Sequence, residues 1–428
     1  MKPGKKSNKY LQGHDVLLMS SSNYNLFTKN VLNAQILAEE LADRGVNVVF
    51  VESLGLKTLP VIGKTDILKV FKRLFDFLIS LFKGAKKPYK NIYVVSPIRL
   101  PFENISFIKK INELFLTSTI KNAAKKYLKP NPILWMFLPN GNFLIDKIPH
   151  ALSIYHNVDD YSEIPFVDKK YIKREEQKIL NKVDLTFVVS KNTGERFKQE
   201  YNYDKSIYIN NVARFDVFNK ALTYNPKNTT SLIPKELRPF SGRPIIGFMG
   251  NIASYKEDLD LIYRTAKLLP DYDFFFIGPI GAGELTTQIS NLSELDNTTF
   301  VGPKDYKDLY KYYKYFDVSY IARKKNKANE GGFPLKYFEY LAAGLPVIVT
   351  SIKALEDFSR IKELGGIADT PDEFAKRIKY WVDLKYSDDS KKKAEYKKYL
   401  TMRIKIAKEN SWDKRMVYLE KIVNKYLK

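Results

Sequence analysis

Short apolar runs alternate with amphipathic stretches along most of this chain, and that alternation constrains the fold more than any other feature. Asp15–Ser20 (DVLLMS), Asn47–Glu52 (NVVFVE) and Pro132–Leu138 (PILWMFL) are too short for packed helices. They also lack the in–out alternation of a half-exposed strand, so each reads as a strand buried on both faces. Between the first two, Lys29–Arg44 places Val31, Leu32, Ile36, Leu37 and Leu41 at helical spacing, and Gly45 ends the helix. This is a βαβ beginning. Asn91–Val95 and helix Ile108–Tyr127 extend it. Strand Ala151–Tyr155, helix Lys169–Asn181, strand Leu185–Ser190, helix Asn192–Gln199 and Ile207–Ile209 follow. Tyr224–Arg243 is rich in Pro, Asn, Thr and Ser and lacks periodicity, which predicts a linker. A second series then starts, with strands at Pro244–Met249, Asp273–Ile277, Thr299–Val301, Val318–Ile321 and Val347–Val349. Helices at Leu259–Leu269 and Leu309–Phe316 lie between them, and basic helices at Phe374–Trp381 and Lys391–Lys428 close the chain. The expected fold is α/β, with two doubly wound, Rossmann-like domains.

The most informative stretch is Glu330–Thr350, EGGFPLKYFEYLAAGLPVIVT. Two glycines mark a loop, Pro334 suits a first helical turn, and Gly344 and Pro346 stop a helix over Leu335–Ala343. A glycine loop feeding a helix start suits an anion. Lys336 adds a cation there, and Glu339 lies three residues on, on roughly the same face. A lysine for phosphates beside a carboxylate for ribose hydroxyls fits a nucleotide. The same spacing also fits a surface helix carrying an ordinary ion pair.

Pro334, Leu335, Lys336, Glu339, Tyr340, Leu341, Ala342, Ala343, Gly344 and Pro346 resemble the donor-site motif of GT-B glycosyltransferases of the retaining family-four class, which build bacterial polysaccharides. That class carries a Glu-x7-Glu pair. Its second glutamate corresponds to Glu339, and its first would fall on Gly331, with Glu330 one place early. The run from Tyr155 through His156, Asp159 and Asp160 to Ser190 is similar to the same enzymes. The resemblance implies two domains facing a cleft: residues 1–223 for the acceptor, a linker over 224–243, and 244–400 for the donor. Residues 401–428 would form a helix returning to the first domain.

It further implies transfer of a sugar from a nucleotide-sugar, a UDP-hexose, to a growing glycan or lipid-linked saccharide, with retention and without metal. The nucleotide-sugar is then a substrate, and no cofactor is expected. Lys336, the Gly250-Asn251 backbone and Lys256 would meet the diphosphate, where preorganised donors and cations stabilise the departing charge. Glu339 would bind the ribose, with Glu330 and Tyr340 in the same motif, and Gly302 and Pro303 would lie near the base. His156 and Asp159 would orient sugar and acceptor; in an inverting enzyme Asp159 or Asp160 would be the general base. Helix capping is the competing account of these aspartates. The Ser20, Ser21 and Ser22 loop stands where such folds bind ligands and would meet the acceptor, unless it is a plain connector.

Composition narrows the field. The chain has 428 residues, no cysteine and only His14, His150 and His156, so disulfides and a histidine-rich metal centre are not expected. Asp258-Leu-Asp260 reads as a solvated helix face rather than a metal motif. Gly278–Gly283 has the wrong spacing for a dinucleotide fingerprint. A net charge of +23 favours anionic partners. No nucleic-acid-binding motif accompanies it, and none is expected to bind. A sugar-nucleotide epimerase would share the double-Rossmann plan. The basic N-terminus lacks a secretory apolar core, and no run approaches the length of a membrane span, so a cytoplasmic protein is expected.

Thr65–Lys90 stands apart. Lys69, Lys72, Arg73, Asp76, Ser80 and Lys83 share one helical stripe, and nearly everything between them is apolar. Such a helix must pack on protein or lie in a membrane interface. Lys86, Lys87 and Lys90 would extend its attraction to an anionic surface.

Overall fold

In a computed structural model, residues 10–24, 33–53, 84–97, 106–164, 167–225, 233–237, 242–281 and 287–427 are described. The chain divides into two units. One comprises Met1–Leu26, Val31–Ile209 and Met416–Lys428, and the other Phe27–Asn30 and Asn210–Arg415.

The first unit holds β1 (Val16–Met19), β2 (Val48–Val51), β3 (Lys86–Tyr89), β4 (Ile92–Val95), β5 (Ile133–Met136), β6 (Leu152–Asn157), β7 (Leu185–Val188) and β8 (Ser206–Tyr208). They form one sheet in the order β3-β4-β2-β1-β5-β6-β7-β8, parallel except for β3 against β4. β1, β2, β5, β6 and β7 are buried along their whole length, as their apolar runs predict. The chain moves outward one way from β1 and then the other way from β5. The switch between those two strands places the Ser20–Ser22 and Pro139–Leu144 loops side by side at the carboxyl edge.

The second unit holds β9 (Ile245–Met249), β10 (Asp273–Ile277), β11 (Thr298–Phe300), β12 (Val318–Ile321), β13 (Val347–Val349) and β14 (Gly365–Ile367). They form a parallel sheet in the order β11-β10-β9-β12-β13-β14. Helices Leu259–Leu268 and Pro371–Tyr386 turn Ile262, Ala266, Phe374, Ile378 and Trp381 into one core with Phe274, Phe276 and Ile348. Full burial of each large side chain is worth about 1.5–3 kcal/mol. Trp381 Nε1 also donates to the Gly365 carbonyl at 2.8 Å, which fixes the helix on β14. Here the switch lies between β9 and β12.

Several expected boundaries move. The units change at Ile209–Asn210, ahead of the 224–243 stretch read as a linker. Of that stretch, 226–232 and 238–241 lie outside the described residues. Its Glu236 accepts from Lys304 Nζ at 2.6 Å and from Tyr312 Oη at 3.2 Å, within the second unit. Of the helix expected over Lys29–Arg44, Asn33–Asp43 is helical, and 29–32 lie outside the described residues. The last stretch is two helices, Ser390–Glu409 and Trp412–Tyr426, and the chain rejoins the first unit from Met416 rather than from residue 401. The proposed interfacial helix falls largely on 54–83, outside the described residues. Its basic tail is not helical: Lys86–Tyr89 is the antiparallel edge strand, and Lys90 pairs with Asp43 at 2.7 Å.

Candidate active site

The switch point of the second sheet gathers the motif residues. β9 ends at Met249, and Gly250 follows at φ +151. This turn is tight. A Cβ on Gly278 would sit 1.9 Å from the Gly250 carbonyl oxygen, and one on Gly250 would sit 2.7 Å from Lys336 Nζ. The Gly250 N–H is used by the Ile277 carbonyl at 2.9 Å, so it is not the free donor the sequence suggested. Asn251 next to it is exposed.

Lys336 begins the helix Lys336–Ala342, shorter than the Leu335–Ala343 expected. It is not a mobile surface cation. Its Nζ is buried, donates to Glu257 Oε1 at 3.1 Å and lies 3.8 Å from the centre of the Phe248 ring. Burial lowers its pKa from 10.5 to about 8, with Glu257 pulling it up and Arg323 pushing it down. Glu339, also buried, accepts from Tyr306 Oη at 2.7 Å. Burial raises its pKa to about 7, against the hydrogen bond from Tyr306 and the charge of Lys336. Tyr340 Oη accepts the Met249 N–H at 2.7 Å, so this residue ties the helix to the end of β9 and is wholly buried. Gly302 takes φ +67 and accepts the Gly278 N–H at 3.0 Å; Pro303 beside it is exposed. Lys256 is half-buried with its ammonium over the Tyr255 ring, and Glu330 is exposed at the end of the turn Lys327–Glu330.

In the first unit, β6 runs two residues past the apolar stretch, so His156 lies inside the strand rather than beyond it. It is buried, stacked on Phe137 at 4.7 Å, and Trp135 Nε1 donates to its Nδ1 at 3.3 Å. Asp159 is half-buried and accepts the Asp160 N–H at 3.1 Å. Asp160 caps the turn Tyr161–Glu163 through Ser162 N and Oγ, and its other oxygen lies 3.3 Å from Arg196 Nε. Capping is therefore the account that fits Asp160. Arg196 also grips the buried Glu176 with both terminal nitrogens, at 2.9 and 3.1 Å. Ser20 Oγ accepts the Ser22 N–H at 3.0 Å, and Ser21 between them is half-buried.

A family model described as glycosyl transferases group 1 matches residues 230–400, the span that contains Gly250, Lys336 and Glu339. That span of the chain is similar to a group 1 glycosyltransferase domain. A 109-residue stretch is 36% identical to a Bacillus subtilis (strain 168) protein named as the teichuronic acid biosynthesis glycosyltransferase TuaH. That match covers 25% of this chain and spans 27% of the relative's length. The fold likeness is broader. It covers 97% of this chain and 99% of Anabaena HepE in complex with UDP and glucose, with TM-score 0.64 and 14% identity. A glycosyltransferase from Rickettsia africae ESF-5 is similar over the same shares, with TM-score 0.64 and 17% identity. The two parallel sheets thus make a GT-B fold.

Within the matched span, sequence reasoning missed the residues that set up its two charged groups. Glu257 holds Lys336, Tyr306 holds Glu339, and Arg323 at the end of β12 acts on Lys336 through space. Asn211 Nδ2 donates to the Phe333 carbonyl at 2.7 Å and steadies the loop before the helix. Asp258 caps the helix Leu259–Leu268 and Asp260 pairs with Arg264, so Asp258-Leu-Asp260 is a helix start with a solvated face.

Proposed function

We propose that this chain is a glycosyltransferase that moves a hexose from its UDP ester to a growing cell-surface polysaccharide or lipid-linked saccharide. The observation that carries the reading is the meeting of Lys336, Glu339 and the Gly250 turn at the switch point of the matched domain. HepE, with UDP and glucose, supports the nucleotide class, and the TuaH relative supports a polysaccharide acceptor.

In this reading the bond from the anomeric carbon to the diphosphate oxygen breaks, and its electron pair leaves with the diphosphate. Lys336 and the turn at Asn251 stabilise that charge, and Glu339 accepts the ribose hydroxyls with one oxygen fixed by Tyr306. The acceptor hydroxyl attacks the sugar, and its proton passes to the departing phosphate. Configuration is retained without a protein nucleophile or a bound metal. The first unit takes the acceptor through Ser20–Ser22, with His156 and Asp159 of the same unit to orient it. Of the two aspartates, Asp159 is the candidate base for an inverting course, because Asp160 is committed to Ser162 and Arg196. The stretch 65–90 is the proposed contact with an anionic membrane surface at the inner face of the cell membrane.

Thermal shift against UDP- and GDP-sugars identifies the donor, because a ligand that binds only the folded state raises its stability by mass action. With that donor, Lys336→Ala and Glu339→Ala are each expected to lower kcat/KM by roughly a hundredfold, the scale of losing one charge-stabilising contact. Parent-like kcat/KM in both folded variants would remove the site. Conversion of the donor without any acceptor, seen by NMR, would replace transfer with epimerisation.

A further inference from the structure

We propose that Glu257 is a positioning residue of the donor site, keeping Lys336 charged and aimed at the diphosphate; this rests on the glycosyltransferase reading above.

Three elements enclose the Lys336 ammonium. The Phe248 ring from β9 covers one side at 3.8 Å, the Gly250 turn leaves no room for a side chain on another, and Glu257 meets it from the segment before helix Leu259–Leu268. An ammonium so enclosed has lost most of its hydration and tends to release its proton. As a neutral amine it would no longer attract phosphate. The charged groups acting on it are Glu257, Arg323 from the end of β12, and Glu339 from its own helix. Of these, Arg323 favours proton loss, while Glu257 opposes it most strongly and alone is in hydrogen-bond contact.

Glu257 is itself held in place. Its N–H donates to the Ala253 carbonyl at 2.8 Å, the residue bridges to Arg323, and the next N–H, of Asp258, donates to the Ala322 carbonyl at 2.7 Å. Its second carboxylate oxygen, Oε2, is buried without a hydrogen-bond partner. Glu257 also lines a small cavity whose other walls include Phe248, Ile252, Phe276 and Tyr320. Stability is a poor reason for such a pair, because desolvating two ions offsets most of their attraction. Control of the lysine's charge is a better one.

The test compares the parent with Glu257→Gln and Glu257→Asp in two measurements. The first is the Lys336 titration, followed by NMR of 13Cε-labelled lysine and assigned with Lys336→Arg. The second is the pH profile of UDP affinity and of kcat/KM. In Glu257→Gln the titration and the basic limb of both profiles should move together to lower pH by about one unit. At pH 8 this means a loss of about fivefold, growing towards tenfold at higher pH and recovering towards pH 6. Glu257→Asp should keep the parent's limb. A folded Glu257→Gln protein whose Lys336 titration does not move, or whose loss is the same at every pH, overturns the role of Glu257. A parent that neither binds UDP nor turns over any nucleotide-sugar overturns the donor-site reading beneath it.

Discussion

Two buried side chains of opposite sign carry shifted pKa values close to neutrality, and their consequences run in opposite directions. In the proposed donor site Lys336 binds phosphate only while charged, so activity should fall as pH rises through about 8. In the same proposed site Glu339 accepts ribose hydroxyls best as a carboxylate, so activity should also fall as pH drops through about 7. The expected kcat/KM profile is a narrow bell whose two flanks belong to the coupled pair rather than to either residue alone. A broad plateau from pH 6 to 9 would contradict it. Glu339 also affects stability. Unfolded, its carboxyl loses the proton near 4.5; folded, it holds the proton to about 7. Between those values the folded state binds more protons, so this contribution is full below 4.5 and is lost as pH rises through 7. Glu339→Gln should flatten the fall in Tm between pH 5 and 7 measured by calorimetry. The buried Glu176, shifted in the same direction by burial, leaves a residual slope in the variant. Equal slopes in parent and variant would show that Glu339 does not titrate in this window.

Elements explain which parts of the site could be read from the sequence. Lys336 and Glu339 lie in one contiguous motif with its own turn signals. Glu257 lies 79 residues from Lys336, and Tyr306 lies 33 from Glu339. Strand order brings each pair together, and nothing local to either partner announces it. Missed strands have a similar cause. β14 is Gly-Gly-Ile and β3 is Lys-Lys-Pro-Tyr. A buried edge built from glycine leaves no apolar run, and charge with proline is how an exposed edge avoids pairing. His156 extended a strand because aromatic rings surround it, a context invisible in the run that ends at Tyr155. The turn after β10 offers a test at this scale. Gly278→Ala puts a methyl group 1.9 Å from the Gly250 carbonyl at φ +140. The turn should shift, and UDP binding by calorimetry should weaken more than urea stability falls. Unaltered UDP affinity would show that the turn does not shape the donor site. The cap at Thr370 is a purely structural contrast: its capping box with Glu373 starts helix Pro371–Tyr386. Thr370→Ala should cost about 0.5–2 kcal/mol in urea unfolding without changing donor KM.

At the scale of the whole molecule, the charge of +23 bears on where the protein works. No helix among the described residues is long and apolar enough to cross a membrane. Surface attachment is therefore tested directly by co-sedimentation with anionic vesicles. Phe71→Glu/Phe75→Glu should reduce binding, and raised salt should weaken what remains. Parent-like binding of the folded double variant would dismiss the stretch at 65–90 as the contact.

The return of Met416–Lys428 to the first unit has a consequence for how the protein is born. Tyr10 Oη donates to the Met416 carbonyl and Gln12 Nε2 to that of Asn424, so the segment before β1 meets the helix Trp412–Tyr426 within one unit. On the ribosome, the second unit is continuous from Asn210 to Arg415 and is complete as soon as it emerges. The first unit, though begun earlier, lacks the helix Trp412–Tyr426 until that helix too has been made. Its early strands must wait, partly assembled, through the translation of the entire second unit, which at about 5–20 residues per second is a wait of tens of seconds.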